Sequence, residues 1–273
     1  MPSMSPDWLR IFPDTEHRLQ MSLRPSDAHR FWQHSLEAET VLAERRQWLA
    51  QHPERHFLIL PEGIDAMHEA ASFIMGSLNR PTCPPEQAAG EVEPDWVVLS
   101  GDAERSHPVI GGAVIFPSHW ALEDKIGKPM HEVHAPVPGL QSSIGAQIST
   151  FLSRLTPNTP RERDNWGLSA DPALNLHPAL PHRRLDTHAT LDQTWLRLEQ
   201  QFLARLPITN AILFGIRVTN HRLDQLAAQP GVAQRLARIL ATMSDEFAHY
   251  KGLHTARAAL VAALTRARAS SHT

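Results

Sequence analysis

The sequence predicts an α+β fold, with one antiparallel β-sheet partly covered by helices in a single domain over residues 1–273. Two observations predict it. A few short, β-branched apolar runs bounded by Gly, Asp and Pro are interleaved with longer helical patterns. No G-x-G-x-x-G or G-x-x-x-x-G-K-[ST] opens a helix and no G-x-S-x-G elbow is present, so dinucleotide, P-loop and α/β-hydrolase folds have no support.

Taken in order, "RPSDAHRFWQHSLEAETVLAERRQWLAQHP" (24–53) predicts a helix that Asp27 can cap and Pro53 stops. "HFLILP" is a short apolar run, and "GIDAMHEAASFIMGSLN" predicts a second helix ending before Pro81. Residues 81–94, rich in Pro, Ala and Gly, predict a mobile loop. "DWVVLSG" (95–101) and "HPVIGGAVIFPS" (107–118) predict two strands paired antiparallel. Ser118 is positioned to cap a short helix, "HWALEDKI", that Gly127 and Pro129 terminate. "SSIGAQISTFLSRL" sets Ile144, Ile148, Phe151 and Leu155 on one helical face. Residues 156–189 show little periodicity and predict irregular coverage. "TLDQTWLRLEQQFLARLP" predicts a helix with Thr190 and Gln193 as its capping box and Pro207 as its stop. "NAILFGIRVT" follows as a strand, and the tail from 230 to 273 predicts helices broken near Met243–Ser244.

Composition narrows the function classes. A formal net charge of −3 argues against a nucleic-acid surface. No run approaches the ~18 apolar residues of a membrane span, and the N-terminus lacks a basic-then-apolar signal pattern, so the expected compartment is the cytoplasm. Only Lys125, Lys128 and Lys251 are lysines, and the remaining basic residues are arginines. Such a bias suits either a GC-rich genome or recognition of carboxylate and phosphate groups. A single cysteine, Cys83, excludes an internal disulfide, a zinc ribbon, a Cys-ligated iron–sulfur cluster and covalent haem attachment. A Cys-Pro pair can ligate haem, but Cys83 reads first as a loop residue.

Three places carry chemistry. "GKPMHEVHAPVPG" holds His131 and His134 three apart, which is not the four-residue spacing of the zinc motif H-E-x-x-H, and no third ligand lies nearby. Ala135 and Val137 each precede a proline, which favours extended backbone and ends any helix at His134. What remains is a rigid turn, suited to one axial haem ligand or to two surface histidines near a helix end. Glu199 falls inside the apolar stripe of Leu191, Trp195, Leu198, Phe202 and Leu206 on the expected helix. An acid there is either a buried ion pair, with Arg217 on the next strand as its partner, or a group facing a cofactor or an amine substrate. "RDNWGL" offers Asn165 and Trp166 as a polar and aromatic lining, or as ordinary loop contacts.

Several stretches together resemble the haem-dependent oxidative N-demethylase family: "GGAVIFPSHWALEDKIGKPMHEVHAPVPGL", "RDNWGL", "LRLEQQFLARLPITNAILFGIRV" and the late "YKGL". The shared pattern runs FPS-x-W, (E/D)-K-(I/L)-G-x-P, (I/V)-H-x-P-V-P, N-W, R-x-E-R-Q-x-L-x-R-L-P and Y-K, from about residue 18 to 255. The resemblance implies a PAS-like antiparallel sheet with additional N- and C-terminal helices, holding haem b through one histidine. It implies His134 as that ligand in preference to His131. It implies cofactor contacts from Arg197, Asn165 and Trp166, and a distal side polarised by Glu199 and Arg217. The implied activity is oxidation of a small, dimethylamine-like secondary amine with O₂. Its electrons would come from NADPH through a flavin or iron–sulfur reductase partner, because this chain carries neither motif.

The sequence departs from the pattern at Gln200, where the family has a second Arg. It also departs at the end of "IRVTN", where relatives carry Thr-Tyr, and Tyr250 is the sole tyrosine. These departures leave a second expectation beside the monooxygenase, a non-catalytic haem-binding PAS-like sensor or carrier.

Overall fold

The structure, a computed structural model, describes residues 6–270. Residues 1–5 and the last three of the expected helical tail lie outside the described residues. Seven strands form one sheet: β1 (Arg24–Pro25), β2 (Phe57–Ile59), β3 (Asp95–Leu99), β4 (Val109–Ala113), β5 (Arg161–Ser169), β6 (Trp195–Arg205) and β7 (Ile212–Arg222). Their order is β1-β5-β6-β7-β3-β4-β2, and every neighbouring pair is antiparallel. The two edge strands are the shortest, which limits the unpaired backbone offered to other chains. The expected pair is present as the β3–β4 hairpin, with Trp96 opposite Ala113, and the expected strand after 210 is β7.

Twelve helices accompany the sheet among the described residues. The N-terminal group is α1 (Trp8–Ile11), α2 (Ala28–Trp32), α3 (Ala38–Gln51), α4 (Pro53–His56), α5 (Ile64–Ser77) and α6 (Pro85–Ala89). Two lie between the hairpin and β5: α7 (Met130–His134) and α8 (Ala146–Arg154), the latter entered through a π turn over Gln141–Gly145. The C-terminal group is α9 (Leu223–Ala227), α10 (Val232–Thr242), α11 (Asp245–Tyr250) and α12 (Arg257–Ser270). No described helix is long and apolar enough to cross a membrane.

Strand alternation assigns the two faces of the sheet. On one face, Leu168, Leu196 and Leu198 meet Leu236, Leu240 and Leu260 of the C-terminal helices. Farther along the same face, Trp96, Val98, Phe202 and Leu213 meet Phe31, Trp32 and Ile74 of α2 and α5. Gly215 lets α2 lie flat there, because a Cβ would stand 2.7 Å from Phe31 Cε1 and 2.9 Å from Trp32 Cη2. The opposite face is covered by residues 114–155, whose Val114, Leu122, Leu152 and Leu155 pack on Val97, Leu203 and Ile212. Only part of this second face is apolar. Along β6 it presents Arg197, Glu199 and Gln201 in succession.

Six expectations are corrected. The single helix expected over 24–53 is instead β1, a short α2 capped by Asp27, a break, α3, and α4, which Pro53 starts rather than stops. Residues 195–205 form a strand rather than a helix, and the Thr190–Gln193 signal makes a single 3₁₀ turn at Leu191–Gln193. Within 156–189, residues 161–169 form β5. The expected helix after Ser118 is a series of turns: His119 has φ 60° and Gly127 has φ 77°, and Ile126 N donates to Leu122 O within one isolated turn. The 81–94 segment is not an open loop, since Pro85 starts α6 and Ala88, Ala89 and Val92 are buried against α5 and β3. Ala135 keeps α-helical angles (φ −53°, ψ −35°) before Pro136, although the helix does end at His134 as expected.

Candidate active site

Glu199 is the centre of the polar patch. It sits mid-strand on β6, opposite Asn165 on β5 and Val218 on β7, so its neighbours are fixed by register. Its carboxylate accepts three side-chain hydrogen bonds: from Ser118 Oγ at 2.5 Å, Asn165 Nδ2 at 3.1 Å and Gln201 Nε2 at 2.8 Å. Burial pushes its pKa up. The bonds from Ser118 and Asn165, with the charges of Arg197 and Lys251, outweigh burial and hold it below the usual carboxylate range. Glu199 is therefore a buried anion.

Ser118 links Glu199 to Arg197, whose Nε donates to Ser118 Oγ at 2.6 Å. The rest of the Arg197 guanidinium donates to carbonyls of Phe116, Pro117, Ala173 and Leu174. Burial lowers its pKa to about 10, so it remains a cation at neutral pH. Each of its three nitrogens is engaged in binding the 116–118 and 173–174 segments to β6.

Three further groups complete the cluster. Lys251, just past α11, donates to Trp166 O at 2.6 Å and Asn165 Oδ1 at 3.4 Å. Burial lowers its pKa to about 8 against the raising effect of Glu199. Arg163, two residues before Asn165 on the same face of β5, has no side-chain hydrogen-bond or ion-pair partner among the described residues, and its Nε is closed off from solvent. His134 at the end of α7 is half-buried, and its ring makes no hydrogen bond with a described residue. Burial first, then the charges of Arg163 and Lys125, lower its pKa to about 4, so the imidazole is neutral. A cleft of about 370 Å³ is lined by Arg163, Asn165, Lys251, Leu23 and Phe247, within the usual span of small-molecule pockets. His134 lines a smaller cavity of about 130 Å³ with Met130, His107 and Ile148.

The structure thus brings His134, Asn165, Arg197 and Glu199 to one side of the sheet. It does not bring the other expected residues with them. Arg217 lies opposite Gln200 and points to the other face, where it pairs with Glu93 at 3.2 Å and donates to Phe31 O and Gln33 O. The expected Glu199–Arg217 pair and their shared distal side are corrected on that ground. His131 is exposed and 4.0 Å from Glu132; it lines the smaller cavity with His134 but is not part of the cluster around Glu199. The Trp166 ring also faces away, edge-on to Phe12 at 5.4 Å, and only its carbonyl reaches the cluster, through Lys251. Ser118, Arg163, Gln201 and Lys251 are not among the expected site residues, although Ser118 and Lys251 fall within the FPS-x-W and Y-K blocks. The signal available for Arg163 and Gln201 was period-2 spacing from Asn165 and Glu199.

Two features suit a haem: a neutral histidine ring without a partner suits an axial ligand, and an unpartnered guanidinium suits a propionate carboxylate. His134 lines the smaller cavity and Arg163 the larger one, and the Arg163 charge is felt at the His134 ring. They gather on one sheet face of an α+β protein, around a buried anion with half-buried cations beside it. A family model described as haem-dependent oxidative N-demethylase, alpha subunit-like, matches residues 79–261, well over half of the chain. The chain belongs to this family. At the coarsest level that membership makes it an oxidoreductase of a haem-dependent family.

Proposed function

We propose that this protein is a haem b-dependent monooxygenase that oxidatively N-demethylates a small secondary amine, using O₂ and electrons from a separate reductase, with a PAS-like sheet as scaffold. The observation that carries the proposal is Glu199, a buried carboxylate kept anionic by its donors on the face where His134 and Arg163 also gather. His134 would ligate the iron and Arg163 would meet a propionate. Bound there, haem supplies the oxygen activation that the side chains cannot.

The chain's own residues then have defined tasks. Glu199 attracts a cationic secondary ammonium and pairs with it at the site, which orients its N-methyl group. Ser118 and Gln201 fix the carboxylate plane, so that this pairing needs no rearrangement of the carboxylate. Arg197 holds the covering segment down and so excludes water. The departure at Gln200 falls between Asp164 and Arg217 on the opposite face, so it leaves the surroundings of Glu199 unchanged. That placement favours the enzyme over a non-catalytic carrier.

The test is formaldehyde release from dimethylamine by haem-loaded protein supplied with NADPH and a reductase. The Glu199→Gln variant should keep its haem absorption and lose roughly 10²-fold in rate. Haem-loaded wild type that releases no formaldehyde from dimethylamine or other N-methylamines would favour the carrier instead.

A further inference from the structure

Arg24, Arg45 and Arg217 each have a carboxylate partner, and Arg197 and Arg205 are bound by backbone carbonyls. Arg163 has neither, although its Nε is shut away from water. Its residue is half-buried, and the charges of Glu199 and Asp164 support it without a direct hydrogen bond, so its terminal nitrogens are left for a ligand or for water. The nearest acid on its own strand, Asp164, points to the other face and is taken up by Arg24 and Arg10. Gln201, directly across on β6, is committed to Glu199.

The unpaired guanidinium lines the 370 Å³ cleft, whose far walls are Leu19, Leu23, Ile239, Met243 and Phe247. Lys251 lines the same cleft and spends its donors on Trp166 O and the longer contact to Asn165, which leaves one N–H uncommitted. The cleft therefore joins apolar walls to a charged end, where Arg163 and Lys251 stand beside Glu16, Arg18 and the Arg10–Asp164–Arg24 group.

We propose that Arg163 is a carboxylate seat: the cleft takes a ligand with an apolar body whose carboxylate pairs with the Arg163 guanidinium, with Lys251 as a second donor. Two sources carry that chemistry. One is a porphyrin propionate, an assignment that rests on the haem reading above. The other is a free acid with an apolar body, such as an N-methylated amino acid, whose amine would face Asn165 in the cleft wall. Glu199 stands behind Asn165 and accepts from its Nδ2, so it would act on that amine through Asn165 and through its charge.

The experiment compares wild type with Arg163→Gln and Arg163→Lys in three titrations: haem, haem dimethyl ester and N-methylleucine, with dimethylamine as control. If the propionate is the source, wild type binds haem at least tenfold more tightly than the ester, and Arg163→Gln removes that preference. If the free acid is the source, haem and ester bind alike, while N-methylleucine binds wild type and loses at least tenfold in Arg163→Gln with dimethylamine unaffected. Melting temperature gives an independent readout: a carboxylate ligand should raise the melting temperature of wild type, and should raise that of Arg163→Gln less. Arg163→Lys should fall between the two, since it keeps the charge without the fork. Equal binding of haem and ester together with no binding of N-methylleucine by wild type overturns the proposal, and needs no variant to fold. Wild type that binds no haem sinks the cofactor reading, while the N-methylleucine titration still decides the role of Arg163.

Discussion

A carboxylate with no water around it keeps its charge only if hydrogen-bond donors replace the water, and Glu199 has Ser118, Asn165 and Gln201 for this purpose. Ser118 does double duty, donating to Glu199 and accepting from Arg197. Ser118→Ala should therefore cost about 1–3 kcal/mol in urea unfolding, because it leaves a guanidinium nitrogen and a carboxylate oxygen each short of a partner. A variant as stable as wild type would show that neither bond matters. At this scale the sequence marked Glu199 as a buried acid, but for a reason the structure does not support. The Leu198–Phe202–Leu206 spacing of four residues satisfies both a helical and a strand period, so the residue was legible while its partners were not. Ser118 lies 81 positions away and Arg217, the nominated partner, lies on the wrong face.

The same ambiguity decides the elements. On β6 the face with Leu196, Leu198, Phe202 and Ala204 is apolar and the face with Arg197, Glu199 and Gln201 is polar, a period-2 pattern masked by residues of high helix propensity. β5 gave no apolar pattern because its first half is polar on both faces, for different reasons. Arg163 and Asn165 face the site, while Glu162 and Asp164 pair with Arg24 at 2.8 Å each. By contrast the β3–β4 hairpin and β7 were legible, since buried β-branched runs with Gly and Pro at their ends have few alternatives. The hairpin also positions the site. Asp95 pairs with Arg45 at 2.6 Å and accepts from the backbone N–H groups of Ile115 and Phe116 at 2.9 Å each, which sets the chain leading to Ser118. Asp95→Asn should destabilise the protein by about 3–5 kcal/mol, read as a lower urea midpoint with an unchanged slope. An unchanged midpoint would mean the pair carries no structural weight.

For the molecule as a whole, acid is the expected weakness. His134 and His119 are both held near a pKa of about 4, His134 by burial and the Arg163 and Lys125 charges, His119 by burial and the His182, Arg197 and Arg184 charges. Unfolded, each returns to about 6.5. Between those values the unfolded chain binds more protons than the folded one, so stability falls as pH drops from 6.5 towards 4 and is fully present above 6.5. The melting temperature of haem-free protein should therefore decline through that window, and His134→Gln should flatten part of the decline. A melting temperature independent of pH there would contradict the placement of both rings. A neutral His134 is also the state that iron ligation needs.

The most direct measurement is the Soret absorption of haem-supplemented protein, wild type beside His134→Ala and His131→Ala. The account predicts a haem band in wild type and His131→Ala, and its loss or conversion to weak, unligated haem in His134→Ala. A band that survives His134→Ala unchanged and disappears with His131→Ala would contradict it.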